Sequence, residues 1–126
     1  MKVLNIIETA YRATLEEQDD PVVWIIHAMK GAGADHSVLL RGNAVNYGVM
    51  AQGVPPLMFG DQVQKHAPRI AEQVAGLIAK GVEVMAVREC VTARGIDEEE
   101  LMAGLTMVGQ AALPKMMGGF DQVWHW

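Results

Sequence analysis

Cysteine is nearly absent: Cys90 is the single one in 126 residues. That excludes an internal disulfide framework and a Cys-x-x-Cys redox pair, and it leaves a free thiol unless two chains pair. Such sparing use of cysteine fits a reducing compartment, so a cytoplasmic protein is expected. Long apolar runs are missing as well. None approaches the ~18 residues of a membrane span, so no membrane partner is expected. The opening MKVLNIIET has one lysine and a short apolar run ended by Glu8, with no small-residue cleavage site. It reads as a first strand rather than a signal peptide. Positive charge is short too: ten Lys and Arg stand against fifteen Asp and Glu, for a net charge of −5. Without a basic stretch to neutralise phosphates, nucleic acid is not an expected partner.

Several motifs are also lacking. The segment after the first strand, ETAYRAT, has none of the glycines that cradle a phosphate, which argues against nucleotide binding. The histidines at 27, 36, 66 and 125 show no metal-binding spacing, and no Ser, His and Asp set is placed for a triad. No cofactor and no metal are expected.

What is present is a globular chain. Hydrophobic residues make up 51% and charged residues 20%, which excludes a disordered segment, and the length suits one domain spanning residues 1–126. Nine methionines and a mean hydropathy of +0.15 suggest apolar surface shared between subunits.

Strand and helix signals alternate. KVLNII at 2–7 suits a buried strand, and residues 8–18 are polar and irregular. Asp19 and Asp20 before Pro21 open a helix, VVWIIHAMKGAG, that ends at Gly31 or Gly33. HSVLLR at 36–41 is the second strand, ended by Gly42 and Asn43. Residues 44–60 form a long connection whose glycines and paired prolines argue against one helix. Its Val45, Tyr47, Val49, Met50, Val54, Leu57, Met58 and Phe59 suggest a loop packed against another subunit, the alternative being an extra short helix folded over its own sheet. Asp61 is expected to cap a second helix running to Gly81, with Pro68 as a kink or as the true start. VEVMAV at 82–87 is the third strand, followed by a short helical stretch, RECVTARG. Asp97 to Glu100 is a capping-box pattern opening a short helix, ELMAG. A fourth strand at 106–108, a helix at 111–117 and a last strand at 123–126 complete the chain.

This alternation predicts an α/β fold: a single flavodoxin-like domain with a five-stranded, mostly parallel sheet and helices on both faces. The common order for five such strands is 2-1-3-4-5. It would put the ligand crevice between strands 1 and 3, outside their carboxyl ends. Strand 1 ends at Glu8 and Thr9, and strand 3 at Arg88, Glu89 and Cys90, so the one cysteine falls where this architecture builds sites. Cys90 also lies in the first turn of a helix, which favours a thiolate, as would Arg88 and Arg94 nearby, while Glu89 opposes it. Gly42-Asn43 could bring a backbone or side-chain amide to the same crevice. The plainer readings are an ordinary buried cysteine, a simple turn at Gly42-Asn43, a packed His27 and a solvated, dipole-matched DEEE helix start.

The segment GVEVMAVRECVTARGIDEEELMAGLTMVG resembles the DsrE/DsrF-like family of small sulfur-relay proteins. A strand leads to a Cys-bearing turn, then A-R-G-I, an acidic helix start and a strand ending in V-G. The earlier GADHSVLLRGNAV, with its G-x-A-V turn, is similar to the family too, and the likeness runs over nearly all elements. It implies a flavodoxin-like fold, homo- or hetero-oligomers (dimers, trimers or hexamers), and a cysteine that carries persulfide sulfur between donor and acceptor proteins. In many members that cysteine ends the third strand, where this chain has Val87. In members with two cysteines at C-x-x-C spacing, Cys90 corresponds to the second.

Two functions are therefore carried forward. In one, Cys90 accepts and passes persulfide sulfur as a sulfurtransferase-like carrier, with Glu8, Thr9, Asn43, Arg88 and Arg94 around it. In the other, the chain is a non-catalytic oligomeric module that binds a small ligand or a protein, and Cys90 is structural.

Overall fold

A computed structural model describes residues 1–12 and 19–126. The expected irregular connection at 8–18 therefore lies, for residues 13–18, outside the described residues. Five parallel strands form one sheet: β1 (Lys2–Ile7), β2 (Asp35–Leu40), β5 (Val84–Val87), β6 (Thr106–Val108) and β7 (Gln122–His125). A separate two-stranded hairpin, β3 (Met58–Phe59) with β4 (Gln62–Val63), lies between β2 and β5 in sequence.

The order across the sheet is β6-β5-β2-β1-β7. Numbering the five strands along the chain, that is 4-3-2-1-5, not the expected 2-1-3-4-5. The three-layer α/β fold stands and the crevice between strands 1 and 3 does not, because β2 lies between them. The physical reason is the direction of the crossovers. Helix α1 (Pro21–Gly31) and helix α2 (Ile70–Ala79) bury Val22, Val23, Ile26, Ile70, Val74 and Leu77 in one cluster with Ile7, Val38, Leu40, Val84 and Ala86. Both connections thus cover the same face and step the strands the same way, as right-handed crossovers require. Among the described residues, helix α4 (Leu113–Met117) covers the other face, where Leu113 meets Leu4, Ile6, Leu39, Met85 and Val87 before the chain returns to β1.

Local chemistry explains the elements. Asp20 caps α1, its Oδ1 accepting from the amides of Val22 and Val23 at 2.9 Å each, and Pro21 takes the first helical position. Asp61 caps nothing: it sits in the turn of the β3–β4 hairpin, and α2 begins after Pro68 with Arg69 at its cap position. Residues 101–105 do not extend the capping-box turn into a helix. Only Glu98–Glu100 turn, as a 3-10 helix, and Leu101 then bridges to Val49. The segment after β2 splits in two. Gly42–Gly48 folds back as a 3-10 helix with Val45 and Tyr47 fully buried, whereas Met50, Met58 and Phe59 are 62–65% exposed. The interface expected over the whole of 44–60 is thus replaced, in its first part, by core of the same chain.

A buried polar cluster fastens β7 to β1. The Asn5 side-chain amide donates to His36 Nδ1 at 2.9 Å and to the Ser37 carbonyl at 3.2 Å, and Trp126 Nε1 donates to Asn5 Oδ1 at 3.3 Å. The Trp126 and Ser37 bonds fix the amide orientation, so His36 Nδ1 must accept and the ring is neutral. Trp124 meets the same ring edge to face. Burial pushes the His36 pKa down, outweighing the opposing pull of Asp35. Lys2 and Glu83 line the same small hollow. The unfolded chain therefore binds the proton more readily than the folded one, so this contribution to stability is full above about pH 6.5 and is lost as pH falls through the folded pKa. Denaturant midpoints should drop between pH 7.5 and 5.5. In His36→Gln, which keeps an amide acceptor without a titrating ring, the drop should be smaller; an equal drop would place the titrating group elsewhere.

Candidate functional site

Val87 ends β5 fully buried in the second core cluster. The next residues turn into helix α3 (Arg88–Ala93), which buries Val91 on the α1/α2 face. Cys90 falls between these anchors, half-buried, and packs against both clusters. The chain leaves β5 over one face through α3 and leaves β6 over the other through α4. These two carboxyl ends are therefore the real switch point, the place where an open α/β sheet leaves a crevice. Glu89 spans it, its Oε2 accepting from the Gln110 amide at 2.8 Å.

On the opposite side the cysteine meets the end of β2. The Gly42 amide donates to Cys90 Sγ at 3.4 Å. Gly42 can aim its amide there because its φ is +56°, a left-handed conformation costly for any residue with a Cβ. Asn43 follows, and Arg94 crosses from the end of α3 to reach it. Arg94 Nε and Nη2 donate to Asn43 Oδ1 at 3.1 and 2.8 Å, and Nη1 donates to the Cys90 carbonyl at 3.2 Å. With six residues α3 is too short for a strong dipole, so the polar contact on the sulfur is the Gly42 amide rather than the helix end.

The structure thus brings Cys90, Asn43 and Arg94 together and leaves the other sequence-derived residues at a distance from the thiol's contacts. Arg88 turns to Glu98, Nε to Oε1 at 3.1 Å, and both are exposed. Glu8 is the hub of a different cluster: Oε1 pairs with Arg41 at 3.2 Å and Oε2 with His125 at 2.7 Å. Thr9 is exposed, with its amide directed at the Trp126 carbonyl at 3.4 Å. Gly42 separates these two from the cysteine, its Cβ position lying 3.9 Å from the Glu8 carbonyl. Sequence reasoning missed the role of Glu89 as a strap across the switch point, because nothing local to RECV shows that Gln110 lies opposite.

A hollow of about 690 Å³ lies elsewhere, between α1 and α2, and includes Asp19, His27, His66 and Arg69 in its lining. It does not touch Cys90. Its polar groups bind one another: His27 Nε2 bonds the Gln73 carbonyl at 2.8 Å and Gln73 Nε2 donates to Asp19 at 2.7 Å. Among the described residues, no group of three or more His, Cys, Asp and Glu could hold a metal, and no helix is long and apolar enough to cross a membrane.

A parallel five-stranded α/β sheet with one half-buried thiol at its switch point defines the class of protein. The sequence profile of the DsrE/DsrF-like family matches residues 2–124, and the chain belongs to that family. The same fold occurs in the crystal structure of the ychN protein from E. coli, at TM-score 0.73 and 19% identity, with both chains covered completely. It occurs in MTH1491 of Methanobacterium thermoautotrophicum, a protein of unknown function, at TM-score 0.66 and 12% identity over 98% of this chain and 97% of that one. BT1422 of Bacteroides thetaiotaomicron, a conserved protein of unknown function, matches at TM-score 0.67 and 14% identity over 99% and 95%. No curated protein matches the sequence.

Proposed function

We propose that the protein is a sulfur carrier that accepts and passes persulfide sulfur through Cys90. The observation that carries this reading is the placement of the one thiol: half-buried at the switch point, with a backbone amide on its sulfur. Membership in the DsrE/DsrF-like family supports it. In the loading step the Cys90 thiolate attacks the outer sulfur of a donor persulfide. A new S–S bond forms, the donor's S–S bond breaks, and the donor leaves as its thiolate with the electron pair. In the passing step an acceptor thiolate attacks the outer sulfur and Cys90 leaves as thiolate, so one cysteine is enough. An amide N–H is a stronger partner for an anionic sulfur than for a neutral one, which suits the Gly42 contact to the Cys90 thiolate that attacks in the loading step and leaves in the passing step. The donor is a protein or small-molecule persulfide and the acceptor a protein or small thiol, both in the cytoplasm.

Alkylation tests this reading against a binding module with a structural cysteine. Cys90 should react with iodoacetamide within minutes at neutral pH in the folded protein. A thiol that reacts only on unfolding would favour the module.

Self-association belongs to the proposal. Met58, Phe59 and Val63 of the hairpin are each more than half exposed, and an isolated two-stranded hairpin is marginal in water. These side chains supply apolar surface for a second copy of the chain. Light scattering should show an oligomer that dissociates in Phe59→Asp while the far-ultraviolet circular dichroism is kept. A wild-type monomer at high micromolar concentration would contradict this.

A further inference from the structure

Three arginines flank the cysteine, and two are neutralised. Arg41 pairs with Glu8, and Arg88 with Glu98. Arg94 differs: among the described residues its partners are two neutral oxygens, Asn43 Oδ1 and the Cys90 carbonyl. The one carboxylate next to the thiol in sequence, Glu89, is committed to the Gln110 amide. The guanidinium therefore keeps its full charge, hydrogen-bonded to the carbonyl of the residue that carries the thiol.

Its geometry is also fixed. A guanidinium has five N–H groups. Nε and one N–H of Nη2 go to Asn43, and one N–H of Nη1 goes to Cys90. One N–H remains on each terminal nitrogen. Two donors left on a planar guanidinium already tethered by Asn43 and the Cys90 carbonyl can meet an anion that offers two acceptor atoms. Arg94 and Asn43 are both exposed, so such an anion reaches the fork from solvent.

We propose that Arg94 is a specificity-determining anion receptor, held in place by Asn43, that selects small anionic sulfane-sulfur donors for Cys90. This rests on the sulfur-carrier reading of the same thiol. For inorganic polysulfide the step balances as follows. The Cys90 thiolate attacks the terminal sulfur of hydrodisulfide, HS–S⁻. The new bond is Cys–S–S⁻, the S–S bond of the donor breaks, and hydrosulfide, HS⁻, leaves with the electron pair and the proton. Arg94 meets the negative charge of the donor as it arrives.

The test compares two alkylating probes of similar size, anionic iodoacetate and neutral iodoacetamide, on the wild-type protein, Arg94→Gln, Arg94→Lys and Asn43→Ala. The ratio of the two rates at Cys90 cancels general changes in thiol reactivity. It should fall roughly three- to fivefold in Arg94→Gln, the upper part of what an exposed ion pair contributes. The fall should be smaller in Arg94→Lys, which keeps the charge without the fork, and in Asn43→Ala, which frees the guanidinium. The wild-type ratio should shrink toward that of Arg94→Gln as salt is raised from 10 mM to about 1 M, where screening is strong. A ratio unchanged in Arg94→Gln and Asn43→Ala overturns the receptor. Sulfur loading from polysulfide is read separately by mass. A ratio that falls without loading would sink the carrier reading and keep the receptor; loading with an unchanged ratio would do the reverse.

Discussion

Asp20→Ala is expected to lower stability by about 3 kcal/mol, from a lost helix cap and a stranded buried hydroxyl. Asp20 is 2% exposed and holds three elements at once. Its Oδ1 caps α1 through two amides, and its Oδ2 accepts from the Tyr47 hydroxyl at 2.6 Å. That hydroxyl in turn accepts from the Tyr11 amide at 2.6 Å, fixing the chain just beyond β1. Burial, with the bond to Asp20, pushes the Tyr47 pKa far up and keeps the phenol neutral. Tyr47→Phe removes one bond of the same set and should cost less, about 1–2 kcal/mol. Because the two residues share a partner, their effects should not add: the double variant should lose less than the sum. Urea denaturation of the four proteins measures this. A loss below 1 kcal/mol in Asp20→Ala would mean that the cap and the tyrosine are not coupled as described.

Cys90→Ser is expected to abolish sulfur loading outright while leaving the denaturant midpoint close to wild type. The exchange is nearly isosteric, and position 90 is half-buried rather than sealed in the core. The hydroxyl can still accept from the Gly42 amide but cannot hold a sulfane sulfur. Val87→Cys is the informative companion, because it puts a cysteine at the end of the third strand, the position that the family resemblance implies. Val87 is fully buried among Leu4, Leu39 and Met85. A thiol there in a Cys90→Ser background should load slowly or not at all, because the acceptance step needs access to the sulfur. One helical turn further on, position 90 combines anchoring with access.

Much of this arrangement was legible in the sequence, for reasons that differ from element to element. The strands and α1 follow from local signals: short apolar runs, the Asp-Pro helix start and the terminating glycines. Asp20 and Pro21 act as read, and so does the hydrogen bond from Glu100 back to the Asp97 amide at 2.8 Å. Gly42-Asn43 also supplies the amide anticipated near the thiol. Strand order was not legible, because a short apolar run such as VMAV pairs equally well with either neighbour. Crossover direction decides it, and that depends on packing between helices distant in sequence. The burial of Val45 and Tyr47 was hidden by the glycines and prolines around them. For Tyr47 it is tied to the buried partner Asp20, which lies 27 residues away. Asp61 misled because an aspartate before a polar stretch signals a hairpin turn as readily as a helix cap.

The central claim is that Cys90 takes up sulfur and hands it on. The direct measurement is mass spectrometry of the folded protein after incubation with polysulfide and desalting, before and after an acceptor thiol is added. The expected adduct is about +32 Da, one sulfur atom, on the peptide that contains Cys90. It should disappear with the acceptor and be absent from Cys90→Ser. No adduct on Cys90, an adduct that the acceptor cannot remove, or an equal adduct in Cys90→Ser would contradict the account.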